Sequence, residues 1–406
     1  MRKELPPWHA GNITRVRRLL QPEPVRQEES GRNGQVLRLL QQEPGLTRSE
    51  VARRLGLSAT TMTRVVGQLL EYGCVTETRK VSRVGTGRPG TELSIEPTSY
   101  FVIGVHIGVG SVRLGVIDVL GETREQTDFE FDAQQDVHPV LDRIAEAVPA
   151  LLAKARLDHT RLLGVGVAVP GPVDGGHRKL LLPINLPWRE VGVADHLEQA
   201  LGVPVVVDHN VRSMALAEAR FGAGRKLGSV AFIYLRTGVG AGLVVAGQAF
   251  QGGVHGAIEV GHLRIVENGE KCICGGIGCL ETVLSERALR HALTDLGLPA
   301  GTANPLETLL RATEHDPAAA KHAELVTKHL ATSLSFLTNL LNPELILLGG
   351  FLSTAPETFV TRLAEATREA VFPVIRPAVQ LRRSSLGLDA GVNGAATVAL
   401  DHLFYA

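Results

Sequence analysis

Two stretches with the same unusual pattern constrain the fold of this 406-residue chain most strongly. "FVIGVHIGVGSVRLGVIDVLGE" begins at residue 101 and "SVAFIYLRTGVGAGLVVAGQAF" begins at residue 229. Each reads as a strand, a glycine-rich turn and a second strand. Glycine turns between strands let the backbone approach phosphate groups closely. The repetition at 105–111 and 237–242 therefore predicts two related lobes that face a common cleft.

The chain between and after these hairpins alternates strands with helices. "LLGVGVAVPGPVD" predicts a strand that leads into a turn, and "PVVVDHNVRSMALAEARFG" predicts a strand followed by a helix. "LTNLLNPELILLGGFLS" predicts a helix, a strand and another glycine turn. Alternation of this kind is typical of an α/β fold, and we expect it from residue 100 to residue 406.

Ahead of residue 100 the pattern changes to short amphipathic helices. The stretch 33–43 predicts a first helix, and Thr47 with Glu50 forms the capping box that opens a second. Ser58 caps a third helix, whose apolar side chains recur every three or four residues: Met62, Val65, Val66, Leu69 and Leu70. Its opposite face carries hydroxyls and a guanidinium, which suit phosphates and base edges: Thr60, Thr61, Thr63 and Arg64.

A basic hairpin follows the third helix. "CVTETRKVSRVGTGRPGTELSI" predicts two strands around a Gly/Pro turn with four cations along them, Arg79, Lys80, Arg83 and Arg88. Three helices and then a basic hairpin is the order of a winged helix-turn-helix, which binds double-stranded operator DNA. Residues 1–96 hold 16 Lys and Arg against 10 Asp and Glu in a chain of zero net charge, which also favours DNA binding. A helical hairpin that mediates protein contacts is the alternative.

We assign residues 1–30 to an N-terminal extension, 31–96 to the winged helix and 100–406 to the α/β body. Within the extension, 12–21 reads as a basic amphipathic helix and 20–34 reads as a loose linker. The apolar runs are too short to cross a bilayer, and the N-terminus lacks the apolar stretch of a signal peptide. We therefore expect a cytoplasmic protein without a membrane partner.

Three of the four cysteines lie within eight residues, in "HLRIVENGEKCICGGIGCLE" at 262–281. His262, Cys272, Cys274 and Cys279 supply one nitrogen and three sulfurs, which is a ligand set for tetrahedral zinc. Because the four ligands fill every position, we expect one structural Zn²⁺ per chain rather than a catalytic ion. A reduced, buried thiol cluster without metal is the alternative.

Five separated motifs in order make residues 100–406 resemble the ROK family of sugar kinases and sugar-responsive repressors. "EVGHLRIVENGEKCICGGIGCLE" is similar to the family's E-x-G-H followed by C-x-C-G-x-x-G-C-x-E. The other matches are "PGPVD", "INLPW", "TGVGAG" and "NPELILLGG". The resemblance implies a two-lobed, actin-like and ribonuclease-H-like fold of the ATPase type. The winged helix in front resembles that of the repressor branch.

The resemblance also implies a sugar-binding set. In the family, the Glu and His of E-x-G-H and the Glu that closes the cysteine motif bind sugar hydroxyls, which implies Glu259, His262 and Glu281 here. Asn185 in "PINLPW" matches a further sugar contact. Aligning "DHNVRSMALAE" on the family's E-N-D-A-N helix adds His209 and Asn210.

The same alignment predicts that phosphoryl transfer is lost. Asn210 stands where the kinases carry their Asp base, and an amide accepts no proton at neutral pH. His106 replaces the Asp of D-I-G-G-T, and Arg236 precedes the second glycine turn where kinases usually have Gly. We expect a degenerate kinase that is not an enzyme.

These features together predict a repressor of sugar-metabolism genes, a homodimer or homotetramer that a small sugar effector controls through the cleft. An ATP-dependent sugar kinase that also binds DNA is the first alternative. An interaction protein with a dead sugar pocket, controlled by a protein partner, is the second, and exposed apolar surface near 305–330 would favour it.

Overall fold

The structure is a computed structural model that describes residues 24–81, 90–253 and 258–406, without the side chains of 24–30, 78–81 and 90. The described residues between 24 and 95 form three helices and a three-stranded sheet of order β1-β3-β2. These elements are α1 (Pro24–Gln42), β1 (Leu46–Thr47), α2 (Arg48–Leu55), α3 (Ala59–Glu71), β2 (Val75–Val81) and β3 (Gly90–Ile95).

Local capping sets the helix boundaries in this region as we predicted. The Thr47 hydroxyl accepts the N–H of Glu50 while the Glu50 carboxylate accepts the N–H of Thr47, and the helix ends at Gly56, which has φ 64°. Ser58 Oγ accepts the N–H of Thr61 at the start of α3. The stripe of apolar side chains along α3 is buried from Met62 to Leu69. The helix-turn-helix pattern in the sequence is therefore confirmed.

The first helix differs from our prediction. It begins at Pro24, so the loose linker that we predicted over 20–34 is wrong for residues 24–34. Proline is tolerated at the first position of a helix because its missing N–H has no partner there. Gly34, which reads as a helix breaker, lies so close to the C-terminal residues that an added Cβ would be 2.1 Å from the Ala406 carbonyl oxygen. Tertiary packing thus overrides the weak helix propensity. The predicted helix at 12–21 lies outside the described residues.

The body consists of two lobes, and each contains a five-stranded mixed sheet. The first sheet has the order β6-β5-β4-β7-β8 and the second has the order β11-β10-β9-β12-β13. In both, the first two hairpin pairings are antiparallel and the last two pairings are parallel. The second lobe thus repeats the topology of the first, as the two strand–glycine turn–strand stretches predicted.

The first lobe comprises β4 (Phe101–Ile107), β5 (Ser111–Asp118), β6 (Thr123–Glu130), α4 (Val137–Ala155), β7 (Leu162–Val169), α5 (Val193–Leu201), β8 (Val205–His209) and α6 (Asn210–Arg220). The second comprises β9 (Ser229–Leu235), β10 (Val239–Val245), β11 (Gln248–Ala249), α7 (Glu281–Leu284), α8 (Glu286–Asp295), α9 (Pro305–Ala312), α10 (Pro317–Leu341), β12 (Leu345–Gly350), α11 (Glu357–Ala370) and β13 (Leu381–Arg383). The chain then returns to the first lobe in α12 (Ala390–Leu403).

The winged helix shares a hydrophobic core with the body. Apolar side chains of α1, α3 and β3 pack in one cluster with residues of β4, β5 and α12. Polar contacts cross the same boundary, since Arg38 Nε donates to the Tyr405 carbonyl oxygen at 2.8 Å and Tyr100 donates to the Tyr72 carbonyl oxygen at 3.1 Å. The two parts therefore meet over a packed surface. Among the helices that the structure describes, none has the length and apolar character needed to cross a bilayer.

Candidate functional site

One cavity between the lobes, about 370 Å³ in volume, brings together every residue that we predicted to contact sugar. That volume lies within the range of about 300–1,000 Å³ that is usual for small-molecule sites. The six residues on its walls are Asn185, His209, Asn210, Glu259, His262 and Glu281. Their role in sugar binding stays a prediction.

The end of β8 and the start of α6 place two of these residues. Open α/β sheets bind ligands at the carboxyl ends of their parallel strands. His209 is the last residue of β8 and lies at such an end. The His209 side chain is buried, its Nδ1 has no hydrogen-bond partner among the described residues, and burial lowers its pKa to about 4. Asn210 opens α6, and its Oδ1 accepts the N–H of Val211 at 2.8 Å. At neutral pH both side chains are therefore uncharged.

The carboxylate nearest to Asn210 in sequence is engaged elsewhere. Asp208 is buried, accepts from Arg212 Nε at 2.7 Å and forms an ion pair with the same guanidinium. It is not among the residues that line the cavity. Among the described residues, Asn210 thus lines the cavity at this position and Asp208 does not.

The second lobe supplies two carboxylates to the same cavity. Glu281 is the first residue of α7, and its Oε2 accepts the N–H of Val239 at 3.2 Å. Gly238 makes room for this contact, because a Cβ there would lie 2.7 Å from Oε2. Glu259 opens to the cleft, and partial desolvation by the cleft walls raises its pKa, with His262 opposing the shift and the Glu281 charge adding to it. Carboxylate oxygens accept hydrogen bonds, so both side chains are suited to accept from hydroxyl groups.

The four predicted metal ligands converge at one point. The donor atoms of His262, Cys272, Cys274 and Cys279 all lie within 4.8 Å of one another. His262 Nδ1 lies 3.7 Å from Cys272 Sγ, and Cys274 Sγ lies 3.7 Å from Cys279 Sγ. Nitrogen and sulfur ligands at tetrahedral corners around one zinc ion would lie about 3.5–3.8 Å apart. The residues therefore fit a tetrahedral metal ion, while the presence and identity of that ion stay a prediction.

Backbone contacts hold the cysteine loop in this shape. The Cys272 N–H donates to the Gly276 carbonyl oxygen at 2.8 Å, and the Gly276 N–H points to Cys274 Sγ at 3.4 Å. Gly278 has φ 72°, and an added Cβ would lie 1.9 Å from the Val266 carbonyl oxygen. Only glycine is compatible with this position. His262 has Nδ1 near Cys272 Sγ and is also one of the residues that line the cavity.

Two arginines and a buried histidine line another part of the same cavity. His106 is the last residue but one of β4, Arg113 lies on β5, and Arg236 precedes the second glycine turn. The sequence singled out His106 and Arg236 but missed Arg113. An arginine inside the apolar strand "SVRLGVID" was the available signal, because Ser111 and Arg113 share the strand face that is not fully buried.

The predicted DNA-binding face of α3 is exposed at Thr60, Thr63 and Arg64 and partly exposed at Thr61. The Thr63 hydroxyl also donates to the Ala59 carbonyl oxygen, and the Thr61 hydroxyl lies 2.8 Å from that of Ser58. The four wing cations stay untested: the side chains of Arg79 and Lys80, and the whole of Arg83 and Arg88, lie outside the described residues. DNA contact by these eight residues remains a prediction.

Comparison with known proteins identifies the family. A model described as "ROK family" matches residues 102–402, which is most of the chain. The chain belongs to the ROK family. A second model, described as "Winged helix-turn-helix DNA-binding", matches residues 32–76.

The ROK relatives include a regulator over the full length and a kinase over the body. The chain is 26% identical over 390 residues to the DNA-binding transcriptional repressor Mlc of Escherichia coli K12, which covers 93% of this chain and 95% of Mlc. A solved ROK family transcriptional regulator, homologous to the E. coli protein, superposes with a TM-score of 0.81 at 26% identity over 93% of this chain and 97% of that chain. The ROK family glucokinase of Streptomyces griseus, in complex with glucose and AMPPNP, superposes with a TM-score of 0.63 at 29% identity, over 74% of this chain and 99% of the glucokinase chain. The actin-like kinase fold of the body, expected from the motifs, is confirmed.

Proposed function

We propose that this chain is a transcriptional repressor that binds operator DNA through its winged helix and responds to a sugar bound in the cleft. One observation carries the proposal: the six side chains that we predicted to contact sugar line one cavity of the ROK body. This body shares a packed hydrophobic core with the winged helix. Full-length similarity to a repressor, and similarity to a kinase over the body alone, support the same conclusion.

The DNA-binding half of the proposal rests on α3. Its exposed face, which carries Thr60, Thr63 and Arg64, would enter the major groove, and the wing cations Arg79, Lys80, Arg83 and Arg88 would contact the backbone or minor groove. A pseudo-palindromic operator requires two copies of the winged helix, so we propose a homodimer or homotetramer. Exposed apolar side chains at Leu340, Phe372 and Val374 support self-association.

The sugar-binding half of the proposal rests on the cysteine loop. We propose that a structural Zn²⁺ ion holds this loop in place. His262 would bind the ion through Nδ1 and donate to a sugar hydroxyl through its other nitrogen. Glu281 follows Cys279 by two residues, so the same ion would also fix its direction. The chemistry that zinc supplies here is rigid ligation, because four protein ligands leave no position for water.

We propose that the cleft has lost kinase activity. The position of the general base holds Asn210, the adjacent Asp208 is paired with Arg212, and a base alone typically contributes about 10²–10⁴-fold to such a rate. His106, Arg113 and Arg236 stand near the glycine turns, where a magnesium nucleotide would require acidic ligands. The kinase alternative therefore has weaker support.

Helix α6 provides a direct route from the cavity to the winged helix. It begins with Asn210 on the cavity wall and ends with Arg220, about 15 Å away at 1.5 Å per residue. The Arg220 carbonyl oxygen accepts from Gln41 Nε2 of α1 at 3.1 Å. Its guanidinium contacts Asp401 at 2.9 Å, and Asp401 lies 3.7 Å from Arg38 of α1. A displacement of α6 by bound sugar would therefore act on α1 without an intervening loop.

The test is fluorescence anisotropy of labelled DNA from the region upstream of the gene, at fixed salt because phosphate contacts make affinity salt-dependent. The protein is titrated first and simple sugars second. We expect tight binding that one sugar weakens or strengthens. Arg64→Ala should weaken DNA binding about tenfold while sugar binding is kept, and Glu281→Gln should keep DNA binding but lose the response to sugar.

Arg362→Ala and Glu365→Gln on the exposed face of α11 serve as matched controls and should change neither property. DNA binding that ignores every sugar would refute the sugar-responsive half and favour control by a protein partner. Absence of DNA binding would refute the repressor and return attention to the kinase alternative.

A further inference from the structure

The cavity has a second polar surface that the sugar-type residues do not account for. It consists of His106, Arg113 and Arg236, with the glycine turn at 108–111 beside them. The carboxylates that we assign to sugar binding have other partners: His262 lies near Glu259, and Glu281 accepts the N–H of Val239. We call His106, Arg113 and Arg236 the cationic wall.

Neither arginine of the cationic wall is neutralised by a carboxylate among the described residues. Arg113 Nη1 donates to the Leu388 carbonyl oxygen at 3.1 Å, and the Arg236 guanidinium lies beside the Tyr234 hydroxyl and 6.0 Å from the centre of the Phe351 ring. Two further carboxylates line the cavity. Glu286 is held by Arg290 at 2.6 Å, and Glu130 is exposed beside the glycine turn. Among the described residues, neither Arg113 nor Arg236 thus forms an ion pair with a carboxylate, and both guanidiniums stay available to an anion in the cavity.

His106 adds a buried donor to this wall. Its ring packs against the first turn of α12, where a Cβ at Gly391 would lie 2.5 Å from the ring. Its Nε2 is buried and has no hydrogen-bond partner in the described part of the chain. Burial first, and then the charges of Arg113 and Arg236, lower its pKa to about 4, so the ring is neutral at pH 7. A buried polar nitrogen without a partner is costly, and an oxygen of a bound ligand would satisfy it.

The backbone around the wall also favours negative charge. The first residues of the 14-residue helix α12, Ala390 and Gly391, line the cavity, and the N-terminus of a helix carries a partial positive charge. The turn at 108–111 presents glycine backbone to the same space. Two guanidiniums, a neutral imidazole and a helix start are a poor environment for Mg²⁺, which needs oxygen ligands, and a good one for an oxyanion.

We infer that the cationic wall binds the phosphate group of the effector directly, so that the effector is a sugar monophosphate rather than a neutral sugar. A phosphate monoester carries about −1.5 to −2 charge at pH 7, which matches two unpaired guanidiniums better than a carboxylate does. The sugar part of this inference rests on the proposed function, since Glu259, His262 and Glu281 would hold the hydroxyls. The phosphate part stands on the cationic wall alone.

Calorimetric titration of the full chain tests it, at fixed ionic strength and without added divalent cations. The probes are inorganic phosphate, then glucose, mannose and N-acetylglucosamine, each compared with its 6-phosphate, and glucuronate as a carboxylate arm. We expect inorganic phosphate to bind and at least one 6-phosphate to bind ten or more times tighter than its parent sugar. Glucuronate that binds as tightly as that ester would overturn the choice of phosphate.

Arg113→Gln and Arg236→Gln should each weaken phosphate binding at least tenfold, whereas Arg362→Gln, exposed on α11, should not. Thermal melts confirm that each variant is folded. Glu281→Gln should weaken the sugar phosphate but leave inorganic phosphate unchanged. Phosphate binding that is equal in Arg236→Gln, Arg113→Gln and wild type would overturn the inference.

The two proposals fail separately. Phosphate binding that depends on Arg236, with no sugar compound altering DNA affinity, would keep the anion site and refute sugar-controlled repression. A neutral sugar that alters DNA affinity while its 6-phosphate does not would keep the repressor and refute the anion site.

Discussion

The ion cluster between the winged helix and the body makes a strong prediction about what holds the two parts together. Asp401 on α12 contacts Arg220 of α6 at 2.9 Å and faces Arg38 of α1 at 3.7 Å. The side chains of Asp401, Arg220 and Arg38 are 11%, 6% and 25% exposed. Asp401→Asn keeps the shape of the side chain but removes its charge. Two guanidiniums then remain close together without a counter-ion.

Removing one partner of a buried ion pair costs about 3–5 kcal/mol. Because Arg38 keeps some access to water, we expect the lower end, about 3 kcal/mol. In the variant the guanidiniums of Arg38 and Arg220 repel each other across the boundary, so we expect this free energy to be lost from the docking of the winged helix on the body. At about 1.4 kcal/mol per tenfold change, the population of the undocked state rises about 100-fold.

Native-state hydrogen exchange measures this directly, because it reports local opening with its own free energy. Amides of α1 between 35 and 42 should lose about 100-fold in protection in Asp401→Asn, while those of β9 and β12 should be unchanged. Adding Arg220→Met should recover part of the loss, since it removes one of the unpaired charges.

Asp195→Asn is the matched control, because Asp195 pairs with Arg178 at 2.6 Å but is 65% exposed. An exposed pair contributes about 0–1 kcal/mol, so this variant should change protection less than about fivefold. If Asp401→Asn changes the α1 amides no more than Asp195→Asn does, the cluster does not hold the domains together and our account of the coupling is wrong.

Three further predictions concern the cleft. Purified protein should contain about one zinc per chain, and Cys272→Ser or removal of zinc should abolish the sugar response while operator binding persists; less than half a zinc by elemental analysis would contradict the metal assignment. Asn210→Asp should not produce ATP turnover in a coupled assay, because His106 and Arg236 still oppose a magnesium nucleotide, and measurable turnover would show that only the base is missing. The His106 pKa is about 4 in the folded chain against an ordinary 6.5, so the unfolded state binds more protons below pH 6.5 and this residue costs stability progressively as pH falls from 6.5 toward 4. The melting temperature of His106→Asn minus that of the wild type should therefore be larger at pH 5 than at pH 7.5. An equal difference at the two pH values would contradict this.

Much of the fold was predictable because local rules decide it. The capping box at Thr47 and Glu50, the cap at Ser58 and the glycine after α2 depend on a few adjacent residues, and the structure confirms all of them. The repeated strand–glycine turn–strand stretches predicted the duplicated sheets for a similar reason, since each hairpin is contiguous in sequence.

Features that depend on distant partners were missed. The length of α1 is one such feature. Glycine is needed at position 34 because residues 405 and 406, more than 370 positions away, pack directly against it. The ion cluster of Arg38, Arg220 and Asp401 is another, since no spacing along the chain signals it. In contrast, the Asp208–Arg212 pair has the i,i+4 spacing of helical ion pairs and was available to sequence reasoning.

Helix α6 has a consequence for how members of such a family diverge. The residue that we propose to contact the ligand, Asn210, lies at its first turn, and those that meet the winged helix lie at its last, with buried Met214, Ala215 and Ala217 between them. Substitutions at the first turn can change which compound is recognised without disturbing the contacts at the last turn. A new effector preference can therefore evolve while the contact between α6 and the winged helix stays unchanged. This requires that the three middle residues continue to pack as one rigid unit.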